Sequence, residues 1–279
     1  MNILDQTFEK KIHRTIMPAV RSGESERAQD GISHVLDELH ARIPDSKRIS
    51  YGIVYTTVKL LSEYLYTQLY QGHSPVFEIA EGLFSSNQEA RCRGVALGIL
   101  SFYGLEDYPR VLPHFEAAAA AGSWDLREFA QMFFRRLIKK NPCQRQAFLL
   151  CLVDSEDANI RRFVAETLRP VQENKWFYSD PEYSLSVLRH LFKERSPYPR
   201  TSVGNNLSDL ARRQPELVYA LVAELVETGD KNSYWTAYRA CRNLVKQDPL
   251  RVMDLLRVDQ YHYKKTRYER ADLGRDNIA

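Results

Sequence analysis

Residues 200–218 read RTSVGNNLSDLARRQPELV. Val203 and Leu207 stand four apart, a small or β-branched apolar residue followed one turn later by a large one. That spacing puts both on one helix face. The polar phrase ARRQP then breaks the pattern, and a second apolar stretch, LVYALVAELVE, follows it. The segment therefore reads as helix, polar turn, helix.

The same arrangement recurs along the chain. The pairs are Val95/Ile99, Ala130/Phe134, Val164/Leu168, Val203/Leu207 and Ala240/Leu244. Successive starts differ by 130−95 = 35, 164−130 = 34, 203−164 = 39 and 240−203 = 37 residues. Several units close on similar phrases, IKKNP, ARRQP and VKQDP. Two helices per period of this length predict an all-α, HEAT-like helical repeat solenoid, because one helix pair cannot bury its apolar stripe alone and stacked pairs can. The second helices are expected to line a concave, basic face. Strand signals are nearly absent, with no Asn-Gly or Asp-Gly turn between alternating segments.

This reading divides the chain into N-terminal helices over 1–75 that cap or clasp the stack, repeats over 76–256, and a Lys/Arg/Tyr-rich tail over 257–279. The tail reads either as a disordered arm touching nucleic acid or as a solvated end.

Composition bounds the function. The chain has 279 residues, 27% charged and 44% hydrophobic, with a net charge of +3. No window approaches the roughly 18 apolar residues of a membrane span. The first residues, MNILDQTFEKKIHR, lack the apolar core of a signal peptide. A cytoplasmic location in the bacterial cytosol or nucleoid, no membrane partner and a monomer are expected. Four scattered cysteines without a C-x-x-C are expected as buried, reduced thiols. No metal or other cofactor is expected: His34 and His40, the densest cluster, are six residues apart and face different sides of a helix.

Arginine recurs at the starts of the second helices: Arg93, Arg127, Arg161 with Arg162, Arg200, and Arg239. A helix N-terminus already favours anions, so a regular set of arginines there predicts a phosphate track; scattered solvated arginines are the alternative. Two acidic positions accompany it. In GSWDLREFA (122–130), Trp124 and Glu128 share a helix face. Asp209 stands where other repeats carry apolar or basic residues, with Asn205 and Asn206 four and three before it. Structural alternatives are a dipole-stabilising Glu128, an Asp209 paired with Arg212 or Arg213, and core roles for Trp124, Trp176 and Trp235.

IRRFVAETLRP (160–170) and SVGNNLSDLARRQPELV (202–218) resemble motifs of the DNA alkylation repair family of HEAT-like glycosylases, the AlkC and AlkD group; WDLRE (124–128) resembles the AlkD-type W-D-x-x-D. The resemblance covers roughly residues 85–256. It implies hydrolysis of the N-glycosidic bond of cationic N3- or N7-alkylpurines in double-stranded DNA, without full base flipping. It assigns Glu128 as the catalytic carboxylate, Asp209 as the second acid, Trp124 and Trp176 as site tryptophans, and Arg161 or Arg162 as a phosphate contact. VQENK before Trp176 is longer than the family's spacing, and Asn205 replaces a second AlkD-type tryptophan. Family members that bind DNA without cutting it supply the alternative, a non-catalytic binder of damaged or branched DNA. A protein-binding scaffold is the third reading.

Overall fold

The computed structural model describes residues 4–45, 52–86 and 88–273. The chain divides into two compact units, Met1–Pro142 and Cys143–Ala279, and each is described by itself.

The first unit opens with α1 (Gln6–Ser22), capped by Asp5, whose Oδ1 accepts from the amides of Thr7 at 3.0 Å and Phe8 at 3.2 Å. α1 ends at Gly23, where φ of +74° places the chain in the left-handed region, as C-terminal glycines allow. α2 (Ser25–Ala41) packs back on it. Then follow α3 (Gly52–Gln71), α4 (Val76–Ser86), α5 (Ala90–Tyr103), α6 (Tyr108–Ala119) and α7 (Trp124–Lys140). α3, α5 and α7 pack side by side, with α4 and α6 against them. Gly94 and Gly98 permit this approach. A Cβ on Gly94 would stand 2.5 Å from the Phe129 ring, and one on Gly98 would strike Ser62 and Phe133.

α8 (Pro142–Leu152) begins at the boundary between the units. The second unit continues with α9 (Ala158–Thr167), a 3₁₀ segment (Gln172–Tyr178), α10 (Pro181–Leu188), α11 (Pro197–Leu210), α12 (Pro215–Glu227), α13 (Lys231–Ala240) and α14 (Pro249–Leu256). α9, α11 and α13 form one row, and α12 and α14 pack in a second layer. The prolines of the recurrent phrases IKKNP, ARRQP and VKQDP are the first residues of α8, α12 and α14. Proline suits that position because its fixed φ is helical and its missing N–H has no partner to lose.

All ten residues of the repeat pairs have an exposure of 0%. The fold is thus an all-α helical repeat, as the period predicts. One departure lies at the C-terminal end. Residues 260–273 are neither disordered arm nor solvated end: β1 (Gln260–Tyr263) and β2 (Thr266–Glu269) form an antiparallel hairpin, followed by α15 (Arg270–Leu273). Tyr261 is fully buried and stacks on Tyr238 at 4.3 Å. The remainder of the tail, 274–279, lies outside the described residues.

All four cysteines are free. Cys92 and Cys241 are buried, and burial first, joined by Glu89 for Cys92, pushes both thiols up to about 12. Cys143 and Cys151, expected to be buried, are exposed, since both lie on α8 outside its buried positions Arg145, Leu149 and Leu152.

Candidate nucleic-acid interface and carboxylate cluster

Ser123 caps α7, its hydroxyl accepting from the Leu126 amide at 3.4 Å. That cap starts the helix at Trp124, which is 42% exposed. Glu128 follows one turn later, half-buried, and accepts a hydrogen bond from Gln131 Nε2. Trp124 and Glu128 belong to the first unit; Trp176 and Asp209 belong to the second.

Asp209 lies on α11 and is 8% exposed. Its carboxylate accepts from Arg169 Nε at 3.0 Å and from the same guanidinium's second nitrogen at 2.5 Å, and Arg212 approaches at 3.3 Å. Arg169 also donates to Glu166 Oε2 at 3.0 Å. A charge-assisted chain thus runs from Glu166 through Arg169 to Asp209. Burial pushes the Glu166 carboxyl up, but Arg169, Arg162 and the Ser202 hydroxyl outweigh it and hold the group below its usual range. Burial opposes the charge on Arg169, yet Glu166 and Asp209 raise its pKa overall. Of the two asparagines before Asp209, Asn206 is buried and donates to the Ala165 carbonyl at 3.0 Å, tying α11 to α9. Asn205 accepts from Arg239. Trp176, in the 3₁₀ segment, packs on Phe177 and Tyr183 at ring distances of 4.3 Å and 4.9 Å.

Of the recurrent arginines, Arg93 stacks over Phe84 at 4.3 Å, and the other five separate into two groups. Arg127 and Arg161 are each the fourth residue of their helix. Both turn back to the preceding loop. Arg127 donates to the carbonyls of Ala121 at 2.6 Å and Gly122 at 2.9 Å. Arg161 donates to those of Ser155 at 2.6 Å and Glu156 at 3.0 Å, and forms a bidentate pair with Glu194 at 2.6 Å and 3.0 Å. Arg162 is buried, within 4.0 Å of Glu166 and stacked over Tyr198. All three guanidinium groups are engaged by residues of their own unit.

Arg200 and Arg239 form the second group. Arg200 donates to Asn232 Oδ1 at 2.5 Å and lies 4.6 Å from the Trp235 ring centroid. Arg239 donates to Asn205 Oδ1 at 2.9 Å, and its stem runs against Gly204, where a Cβ would approach within 2.8 Å. Arg239 does not stand at a helix start, as its recurrence suggested. Asp230 caps α13, accepting from the amides of Asn232 and Ser233, so Arg239 falls in the last turn. Burial, with Arg242 and Arg169 nearby, lowers its pKa. Among the described residues no carboxylate pairs with Arg195, Arg200, Arg239 or Arg242, whereas Arg251, Arg257, Arg267 and Arg270 of the same unit are all paired. Cations left without carboxylates in this way form an anion-attracting surface.

Trp235, read as a core candidate, is half-buried and lines two clefts, one with Arg195, Arg200, Lys231 and the capping Asp230, the other with Arg239 and Arg242. YWTAYRACRNLVK (234–246) carries the signal that would have found this face: Trp235, Arg239, Arg242 and Lys246 recur at three- and four-residue spacing.

The profile of the DNA alkylation repair enzyme family matches residues 31–244. The chain belongs to this family. Its matched segment contains Trp124, Glu128, Asp209 and the Arg200–Arg239 face. YhaZ of Bacillus subtilis, an uncharacterized protein, is 29% identical over 115 residues, which is 39% of this chain and 31% of that protein. Two solved structures share the fold. The Pseudomonas fluorescens alkylpurine DNA glycosylase AlkC, bound to DNA containing an abasic site analog, superposes with a TM-score of 0.53 at 22% identity, covering 89% of this chain and 64% of that one. AlkD2 from Streptococcus mutans gives 0.55 at 17% identity, covering 76% and 98%. The chain thus spans under a third of the curated relative and just under two thirds of AlkC.

His34, from the histidine pair weighed as metal ligands, lies 3.0 Å from Glu38, and the neighbouring Asp37 pairs with Arg91 at 2.6 Å. No helix of the described residues is long and apolar enough to cross a membrane.

Proposed function

We propose that this protein is a DNA glycosylase that hydrolyses the N-glycosidic bond of cationic N3- or N7-alkylpurines in duplex DNA, with Glu128 and Asp209 as its carboxylates. The observation that carries the reading is the presentation of Trp124. Trp124 is 42% exposed in the first turn of α7, with the Glu128 carboxylate one turn away, whereas tryptophan is on average a highly buried residue. An indole face and a carboxylate together suit a cation, and cation–π attraction contributes roughly 0.5–2 kcal/mol.

The chemistry follows from the lesion's charge. When the C1′–N9 bond of an alkylated adenine or guanine breaks, the electron pair leaves with the base, which departs neutral. Positive charge develops on the sugar as an oxocarbenium ion. A carboxylate beside that sugar stabilises the charge, takes a proton from water and directs the water's oxygen to C1′. The departing base needs no protonation, so only the sugar need be reached and the base can remain largely stacked. In this reading Arg200 and Arg239 grip the backbone phosphates, Trp176 is a site tryptophan, and Arg169 positions Asp209.

The engagement of Asp209 by both Arg169 and Arg212 favours a second reading, in which the protein binds alkylated or branched DNA without cutting it. Incubation with methylated duplex DNA decides between them. The glycosylase releases free 3-methyladenine or 7-methylguanine with multiple turnovers. Binding without any released base would leave only the second reading.

A further inference from the structure

The β1–β2 hairpin lies beyond the stretch matched by the repair family, and together with α13 it forms a cleft of about 370 Å³. Trp235, Tyr238, Arg239, Arg242, Tyr263 and Lys264 line it. We propose that this cleft holds the phosphodiester backbone of duplex DNA flanking the lesion, so that the hairpin is a second DNA grip. The inference rests on the DNA-repair reading above.

Three observations support it. First, the hairpin is fixed. Tyr261 is fully buried, its hydroxyl donates to the Tyr238 carbonyl at 2.7 Å, and the His262 amide donates to the Tyr238 hydroxyl at 2.8 Å. Second, cations gather there without neutralisation. Arg242, Lys246 and Lys264 lie 5.8 Å, 5.2 Å and 5.6 Å from the centroid of one ring, that of Tyr263. Among the described residues none of the three pairs with a carboxylate, and Arg242 Nε is buried without a hydrogen-bond partner. Like charges at this density repel unless an anion joins them. The arginines elsewhere on the hairpin segment differ: Arg267 pairs with Glu269, and Arg270 with Asp254. Third, the hairpin loop carries a lysine where glycine would fit the backbone. Lys264 has φ of +56°, a left-handed conformation that costs a side-chain-bearing residue energy and is relieved by glycine.

The cleft adjoins the candidate site through residues of one unit. Arg239 lines the cleft and donates to Asn205, one turn before Asp209 on α11, and its charge is felt by that of Arg169. A backbone lying along Arg200 and Arg239 continues to Arg242 and Lys264.

The test uses the full chain and an unmodified duplex of about two helical turns (~20 bp), with affinity measured between 50 and 200 mM salt. Each phosphate contact contributes about 0.9 to the slope of log affinity against log salt. Arg242→Gln and Lys264→Gly should each lower that slope by about 1, reducing the salt-induced loss by roughly 3.5-fold per contact. Lys264→Gly keeps the left-handed turn while removing the charge, and unchanged melting temperatures confirm folding. Unchanged slope and affinity in both variants would overturn the second grip, as would salt-independent binding by the wild type. Because the probe carries no lesion, the two readings fail separately. Altered slopes without base release sink the glycosylase alone, and base release with unaltered slopes sinks the cleft alone.

Discussion

At the scale of single residues, burial and partner decide what a charge does. Glu166 is 5% exposed, and its carboxyl is held below the usual value of 4.5 by Arg169 and Arg162 against the pull of burial. A group depressed in this way contributes stability that is present above about pH 4.5 and lost as pH falls through its folded value. Urea denaturation should therefore show a midpoint that declines below that pH, and Glu166→Gln should flatten the decline while costing about 3 kcal/mol at neutral pH. An equally steep acid limb in the variant would contradict this. Arg161 makes a sharper contrast with its place in the sequence. Recurrence at a helix start suggested a phosphate contact, but the side chain is spent on Glu194 and two loop carbonyls. Arg161→Ala should lose about 3 kcal/mol of stability, since it strands the buried Glu194. The salt dependence of DNA binding should stay as in the wild type; a reduced slope with normal stability would return Arg161 to the DNA track. A single sequence supplies the arginine but not its partner 33 residues away, and that partner is the ground for the expected structural role.

At the scale of elements, the repeat was legible because burial enforces it. Each Val/Leu or Ala/Phe pair must face the next helix, and all ten such residues are fully enclosed. The glycines test the packing. Gly98→Ala places a methyl against Ser62 and Phe133 in a closed contact, so it should destabilise by about 1–3 kcal/mol without altering DNA affinity per folded molecule. Gly204→Ala meets Arg239 at its Cβ, 2.8 Å away, an atom that moves only with its helix. It should therefore cost stability as Gly98→Ala does and in addition shift the guanidinium, weakening DNA binding per folded molecule. Unchanged DNA affinity in the folded Gly204→Ala variant would remove Arg239 from the DNA contacts. The hairpin escaped the sequence reading for a physical reason. Its two-residue loop is Lys264–Lys265, not the Asn-Gly or Asp-Gly that usually signals such a turn. Its stability comes from Tyr261 stacking on Tyr238, a contact 23 residues away in sequence.

At the scale of the whole molecule, the repeat period and the family profile agree on an all-α helical repeat protein of the DNA alkylation repair enzyme family. The candidate site was legible only in part. Trp124 and Glu128 could be read because both lie within one helical turn, and so could the Asp209–Arg212 pair, three residues apart, whereas the Arg169–Asp209 pair depends on packing between segments. Of the face built by Trp235, Arg239 and Arg242, only Arg239 was read as a phosphate contact, because a tryptophan on a helix resembles core. The central proposal is that Glu128 and Asp209 are the carboxylates on which glycosylase activity depends. Single-turnover release of 7-methylguanine from methylated duplex DNA, compared for wild type, Glu128→Gln, Asp209→Asn and the double variant, tests it most directly. The prediction is a loss on the order of 100–1000-fold for Glu128→Gln, with the double variant little slower than the worse single one, as for groups that work as a unit. Wild-type rates in both single variants would contradict it.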